Sequence, residues 1–400
     1  MKILVFCQYY YPEQFKITEI CERLVSDGHT VTVVTGLPNY PEGIVPKEYR
    51  FMKKRKEIIN GVKVLRNFLI PRKKSTFCLA LNYVSYVLSS CMRVMFLKKE
   101  YDLVFVYQLS PVTMALPGIL YSKLAKCKLY LYCCDIWPES IKTVIKDVDT
   151  FFYKVIKKLS EYIYSNCQYI GVSSMSFLSY LSEEHGIDIE KIKYIPQHSE
   201  NSILYREDRK ISPNGIISFV FMGNIGKAQN IDCIIKAVEL LKERNGFKVH
   251  FVGSGSYYDE AVKSVNDKKL NNMIVFHGRF PQEKMQSFYD LADVCLLTLR
   301  ADNKTGLTVP SKLQGYMATG KMVLASIDGD AKRIIEDSGC GICVPAGDYV
   351  ALSTAMLDII VNYDTYKDYG ARGRDYFQKN FTIEKYIEET ELILHRLKGM

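Results

Sequence analysis

No G-x-G-x-x-G follows the first strand of this chain. The loop Cys7–Gln14 reads CQYYYPEQ, which argues against a dinucleotide site there even though the strand–helix–strand order is Rossmann-like. A secretory leader is missing too. Lys2 runs directly into a short strand-like stretch, Ile3 to Phe6, with no apolar h-region or cleavage site, so a cytoplasmic protein is expected. Zinc-type cysteine spacing is absent: the twelve cysteines are scattered, and the one C-x-x-C, Cys340 to Cys343, has no partner pair. They read as reduced core residues. Histidine is sparse, and His250 and His277 have no companion at metal-ligand spacing, which gives them a structural role.

What is present is enough chain for two cores. Four hundred residues at 48% hydrophobic and 24% charged is an ordinary globular composition. The net charge of +9 is local rather than diffuse. Between Arg50 and Lys74 stand Arg50, Lys53, Lys54, Arg55, Lys56, Lys63, Arg66, Arg72, Lys73 and Lys74 against one acid, Glu57. Base-stacking aromatics are thin in that run, so no nucleic-acid partner is expected. Phe77 to Leu97 follows, largely apolar but broken by Asn82, several serines and Arg93, too polar for a membrane span. A basic segment beside an apolar, aromatic-rich helix fits a protein resting on an anionic membrane surface; a basic loop before a buried helix fits equally.

The chain opens as βαβ: strand Ile3–Phe6, a helix from Phe15 to Ser26 closed by Gly28, strand Val31–Thr35, then the turn-dense GLPNYPEG, Gly36 to Gly43. Strands Leu103–Tyr107 and Leu129–Cys134 follow, and the second runs into Asp135, Ile136, Trp137, Pro138, Glu139 and Ser140. Carboxylates and the chain's only tryptophan at a strand end can orient a sugar, since aromatic faces pack on sugar C–H surfaces and carboxylates bind hydroxyls. The polar segment Gln197–Gly215 reads as a linker.

The rhythm then restarts. Strand Ile216–Met222 ends in Gly223, Asn224, Ile225, Gly226 and Lys227 before a helix from Asn230, a small phosphate-cradle signal. Strand Lys248–Val252 ends in Gly253, strand Ile274–Phe276 in His277-Gly-Arg279, a helix spans Gln282 to Ala292, and strand Val294–Thr298 leads to Gly306–Ser326. There Thr308, Pro310 and Ser311 open a helix whose first turn carries Lys312. A cation at a helix N-terminus is disfavoured without an anion, so Ser311, Lys312 and the free N–H groups make a candidate phosphate cradle. Two D-x-D strings, Asp147–Asp149 and Asp328–Asp330, are set aside as metal sites: one lies in a polar connection, the other beside Lys332 and Arg333.

Together these stretches resemble glycosyltransferase family 4 of the GT-B fold, in its bacterial surface-polysaccharide branch (O-antigen, capsule, exopolysaccharide). The resemblance spans nearly the whole chain: PEQFKITEICERLVSDGHTVTVVTGLPNYPEG, DIWPES, FMGNIGKAQNIDCIIKAV and VPSKLQGYMATGKMVLASIDGD. It implies an α/β protein of two facing Rossmann-like domains with parallel sheets and a C-terminal helix crossing back. Residues 1–205 with 380–400 would form the acceptor domain and 206–379 the donor domain. The implied activity is retaining transfer of a sugar, such as an N-acetylated hexosamine, from a UDP-sugar to a polyprenyl-diphosphate-linked glycan, without metal or cofactor, at the inner face of the cell membrane. A UDP-N-acetylhexosamine 2-epimerase on the same fold is the alternative.

The resemblance assigns donor contacts to Gly223, Asn224, Gly226, Lys227, Gln229, Gly253, Arg279, Thr308, Pro310, Ser311 and Lys312. Acceptor contacts fall to Glu13, Phe15, Asn39, Tyr40, Trp137 and Glu139, and catalysis to Lys312 and Asp135. Two departures stand out. Asn224 and Gln229 occupy places where the family commonly carries Arg and Lys, and Leu307 and Gly315 replace a pair of glutamates separated by seven residues.

Overall fold

A computed structural model gives the structure, and it describes residues 1–73, 75–143, 150–199, 215–300 and 309–399. The chain forms two units, Met1–Ile195 with Ile387–Met400, and Pro196–Tyr386. The expected boundary at 205/206, the string Asp147–Asp149, Leu307 and Thr308 lie outside the described residues.

The first unit runs β1 (Lys2–Phe6), α1 (Ile17–Ser26), β2 (Thr30–Gly36), β3 (Lys56–Ile59), β4 (Val62–Asn67), α2 (Thr76–Val94), β5 (Leu103–Gln108), α3 (Leu116–Ala125), β6 (Lys128–Cys133), α4 (Phe151–Ser165), β7 (Tyr169–Val172), α5 (Met175–His185) and β8 (Ile192–Tyr194). Its sheet has the order β3-β4-β2-β1-β5-β6-β7-β8, parallel except for the β3–β4 hairpin. The strands are apolar on both faces because helices cover both: all six residues of β5 are buried. Helix α1 buries Ile17, Ile20, Cys21 and Leu24, one stripe at helical spacing. It begins two residues later than expected, leaving Phe15 in the loop.

Strands β3 and β4 correct the picture of the basic run. Asn60 and Gly61, both at positive φ, turn a hairpin on the sheet edge, and Asn-Gly between β-branched residues was the signal for it. Arg66 is not a surface charge. It is fully buried, with its guanidinium on Glu57 (2.6 and 2.7 Å), on the Tyr11 carbonyl (2.6 Å) and over the Tyr49 ring.

The second unit runs β9 (Ile217–Met222), α6 (Ile231–Leu240), β10 (Phe247–Val252), α7 (Tyr258–Asp267), β11 (Ile274–Gly278), α8 (Met285–Leu291), β12 (Val294–Thr298), α9 (Ser311–Ala318), β13 (Met322–Ser326), α10 (Asp330–Ser338), β14 (Gly341–Val344), α11 (Tyr349–Val361) and α12 (Tyr369–Asn380). Its wholly parallel sheet, β11-β10-β9-β12-β13-β14, is the doubly wound order. Alternate residues of β9 feed two cores: Ile217, Phe219 and Phe221 pack with Ile234, Ile235 and Val238 of α6, and Val220 and Met222 with Leu313, Tyr316 and Met317 of α9. The helix expected over Gln282–Ala292 divides into a 3₁₀ turn, Gln282–Lys284, and α8.

Helix α13 (Ile383–Gly399) starts in the second unit and ends in the first. There it is tied down by a hydrogen bond between Glu391 and His29 (2.8 Å), by the ion pair of Glu389 with Lys193 (2.6 Å), and by Arg396 over the Tyr169 ring.

Candidate functional site

In a doubly wound sheet the ligand crevice lies beyond the strand C-termini where the strand order reverses. In the second unit that point falls between β9 and β12, and the helix following β12 carries Lys312. Lys312 occupies the second position of α9, after Pro310 and the exposed Ser311. Its ammonium lies 3.8 Å from the centre of the Phe221 ring. Burial pushes its pKa down to about 7, and no carboxylate pairs with it among the described residues. The Leu313 N–H is taken by the Pro310 carbonyl (3.0 Å), but those of Ser311 and Lys312 come too early in α9 for a helical partner, so charge and donors of one sign gather where an anion would be held. Phe221 offers the ring face that makes this tolerable without the anion. Nothing in the sequence linked Phe221 to a lysine ninety-one positions away.

The loop after β9 is shaped to receive that lysine. Gly223 has φ +124°, and a Cβ there would collide with Cε of Lys312. Gly253, at φ +143°, leaves room for the Gly223 carbonyl and donates its N–H to Gly278 (2.8 Å), so its part is to let two loops meet. Gln229 accepts from the Gly226 N–H (3.2 Å) and the Asn224 side chain (3.1 Å), fixing the 3₁₀ turn Lys227–Gln229. Gln229 and Gly226 thus hold the loop together instead of reaching outward. Lys227 and Arg279 lie exposed on the surface. Tyr316, unmarked in the sequence, pins α9 to the sheet: its hydroxyl accepts the Met222 N–H (3.1 Å) and lies 3.3 Å from the Leu296 carbonyl.

His250 and His277 have each other for company. Adjacent strands put Nδ1 of His250 3.0 Å from Nε2 of His277, and burial lowers both pKa values, that of His250 to about 4. Among the described residues no group of three or more His, Cys, Asp or Glu side chains is placed to hold a metal ion. Asp330 stands beside Arg333 (4.0 Å).

In the first unit the order reverses between β1 and β5, and residues from the ends of β1 and β2 meet nearby. Glu13 is buried and accepts the N–H groups of Asn39 and Tyr40 at 2.7 Å each. Burial raises its pKa to about 7 against the pull of those donors. Phe15 stacks on Tyr9 (5.0 Å), and Tyr40 closes on both (5.2 and 5.6 Å). The Arg72 guanidinium covers Tyr40 at 4.9 Å, and its backbone N–H donates to Asn39. Glu13, Phe15, Asn39 and Tyr40 therefore form one cluster, to which the structure adds Tyr9 and Arg72.

The DIWPES residues behave differently. Both carboxylate oxygens of Asp135 take serine hydroxyls, from Ser110 and Ser140. Glu139 accepts from Tyr180 (3.1 Å) and Tyr153 (3.4 Å). Trp137 is buried, its indole N–H on Ser110 Oγ (3.0 Å), so its ring is a core plug and not a platform for a sugar. Both oxygens of Asp135 are thus engaged in holding the loop together. Tertiary contacts with Ser110, Tyr153 and Tyr180 decide this, and the motif alone does not display them.

Residues 206–376 match the family model described as glycosyl transferases group 1. By sequence the chain is similar to the probable glycosyltransferase WbjE of Pseudomonas aeruginosa, 28% identical over 274 residues, 65% of this chain and 67% of that one. It is similar as well to the Escherichia coli K12 protein named as a colanic acid biosynthesis glycosyl transferase, WcaI, 23% identical over 371 residues, 86% of this chain and 88% of that one. Among solved structures it resembles HepE of Anabaena, crystallised with UDP and glucose, at 15% identity and a TM-score of 0.69 over 99% of both chains. The fold is GT-B, and the relatives include proteins of bacterial polysaccharide synthesis. The epimerase alternative finds no support in these matches.

Proposed function

We propose that this chain, a glycosyltransferase of group 1, moves a sugar from a UDP-sugar to a lipid-linked glycan acceptor with retention at the anomeric carbon, in surface-polysaccharide synthesis. The observation that carries the donor half is the largely buried ammonium of Lys312, unpaired with any carboxylate among the described residues, beside Gly223 at the switch point of the second sheet. UDP as the nucleotide is supported by the UDP complex of the Anabaena neighbour.

As the bond from the anomeric carbon to the diphosphate breaks, negative charge grows on the leaving oxygens. In this reading Lys312 and the N–H groups of Ser311 and Lys312 meet that charge, and hold the transition state more tightly than the ground state. No protein nucleophile is needed. The acceptor oxygen attacks the face the diphosphate leaves, and a diphosphate oxygen takes its proton. On the acceptor side we place Glu13 toward an acceptor hydroxyl: its pKa lies near 7, and it holds the Asn39 and Tyr40 N–H groups next to the exposed Tyr40 ring. No metal enters this scheme.

Nucleotide release from UDP-, GDP- and ADP-sugars, each with and without a polyprenyl-diphosphate-sugar acceptor, tests the proposal. Acceptor-dependent UDP release is the expected result. Release without acceptor, or release only from GDP- or ADP-sugars, would overturn it.

A further inference from the structure

Helix α2 is inside out. A helix laid on a sheet ordinarily buries its apolar stripe and offers polar residues to water. In α2 the buried positions are Asn82, Tyr86, Ser90 and Val94, one per turn, and Asn82 and Ser90 are wholly enclosed. Each is bonded into the unit: Asn82 accepts from Gln8 (2.7 Å) and donates to the Ile70 carbonyl (2.6 Å), and Ser90 accepts from Asn67 (2.8 Å). The next row along does the same, with Ser85 accepting the Ile70 N–H (2.9 Å) and Ser89 donating to the Phe68 carbonyl (2.5 Å). These bonds fix the helix's rotation.

The opposite face is apolar and open. Phe77 (71% exposed), Val84 (54%), Leu88 (64%) and Met92 (67%) form a stripe that Met95 and Phe96 prolong beyond the last turn. No acidic residue occurs from Thr76 to Lys99. Arg72 and Lys73 precede the helix, and the exposed Lys98 and Lys99 follow it. Lone exposed apolar residues need no explanation, but a continuous stripe with basic ends does.

A second helix extends the face. The crossovers into β5, β6, β7 and β8 all run one way across the sheet, so right-handedness puts α2, α3, α4 and α5 on one side. Helices α2 and α4 both pack against the turn Val112–Ala115. The outer side of α4 shows Phe151, Phe152 and Tyr162 interleaved with Lys154 and Lys158, all exposed.

We propose that this face docks on an anionic lipid bilayer, with α2 lying flat at the boundary between headgroups and acyl chains. Charge selects the partner. A second copy meeting the face symmetrically would set lysines against lysines, whereas anionic headgroups neutralise them while the stripe enters the acyl region. Against the expectation drawn from its polar residues, α2 is by length and composition long and apolar enough to cross a membrane. It is held parallel to the sheet instead, because its polar row is bonded to β4 and the chain following it. The proposal does not rest on the sugar-transfer reading.

Vesicle flotation of the full chain is the test, with phosphatidylcholine alone and with a third of the lipid replaced by phosphatidylglycerol. Two double variants accompany the wild type, Leu88→Glu with Met92→Glu, and Lys98→Glu with Lys99→Glu. Their substitutions are at exposed positions, and urea midpoints equal to wild type confirm that they fold. Partition onto the anionic vesicles is expected, weak on neutral ones, and each double variant should lower it about tenfold or more. Absence of binding to either vesicle, or equal binding by folded variants, would overturn the proposal. So would a lipid-free dimer abolished by Leu88→Glu with Met92→Glu, which would seat a second copy on the stripe.

Discussion

Replacing Lys312 by methionine keeps the length of the side chain and removes its charge, so it separates what the ammonium does for the donor from what it costs the fold. Burial lowers the pKa from 10.5 to about 7. The unfolded chain therefore binds more protons at this position than the folded one between pH 7 and 10.5, and stability rises with pH across that window. At about 1.4 kcal/mol per pKa unit, the 2.5 units between pH 8 and the unfolded value of 10.5 set a ceiling of about 3.5 kcal/mol at pH 8; solvent reaching a partly exposed ammonium reduces this to about half. Lys312→Met should accordingly be more stable than wild type at pH 8 by about 1–2 kcal/mol in urea unfolding without nucleotide, and the gap should close as pH approaches 10. Titration calorimetry with UDP should show the opposite: affinity falls by about 1.5–3 kcal/mol, the range for hydrogen bonds to a charged group. Wild type should also take up a proton on binding at pH 8, because the anion restores the charged lysine, and the variant should not. Unchanged UDP affinity would remove Lys312 from the cradle, and a stability gap that ignores pH would refute the buried charge.

Glu13→Gln should leave UDP affinity intact and reduce acceptor-dependent turnover by about tenfold or more. In the wild type, turnover should fall as pH drops below about 7, where the Glu13 carboxylate protonates, and the variant should lose that limb. Asp135→Asn keeps an oxygen for one serine but loses the charge that two hydroxyls stabilise; thermal unfolding should report a loss of about 1–3 kcal/mol, with turnover per folded molecule nearly unchanged. Tyr316→Phe removes the hydroxyl that joins α9 to β9 and β12, and urea unfolding should show a cost of about 1–2 kcal/mol.

Much of the architecture was legible in residue order. Buried runs such as Val294–Thr298, the glycines after them and the amphipathic helices between them dictate two rounds of alternating strand and helix, because period and turn chemistry are local properties. Pro310-Ser311-Lys312 marked a cation at a helix start in the same way. The hairpin β3–β4 was legible too, in Asn60-Gly61, but the density of charge around it hid the alternation.

The sequence by itself thus determined the α/β rhythm, the place of the Lys312 helix and the carboxylates near strand ends. Only the tertiary structure decided which of those groups can act. Lys312 meets Phe221 and Gly223 because β9 and β12 are neighbours in the sheet, Asp135 is taken by Ser110 and Ser140, Trp137 is enclosed, and Arg66 turns inward to Glu57. α2 turns its polar row to the sheet because the partners for Asn82 and Ser90, Gln8 and Asn67, come from β-strand ends far off in the chain. Periodicity tells which residues share a face; strand order and hydrogen-bond satisfaction tell what that face meets.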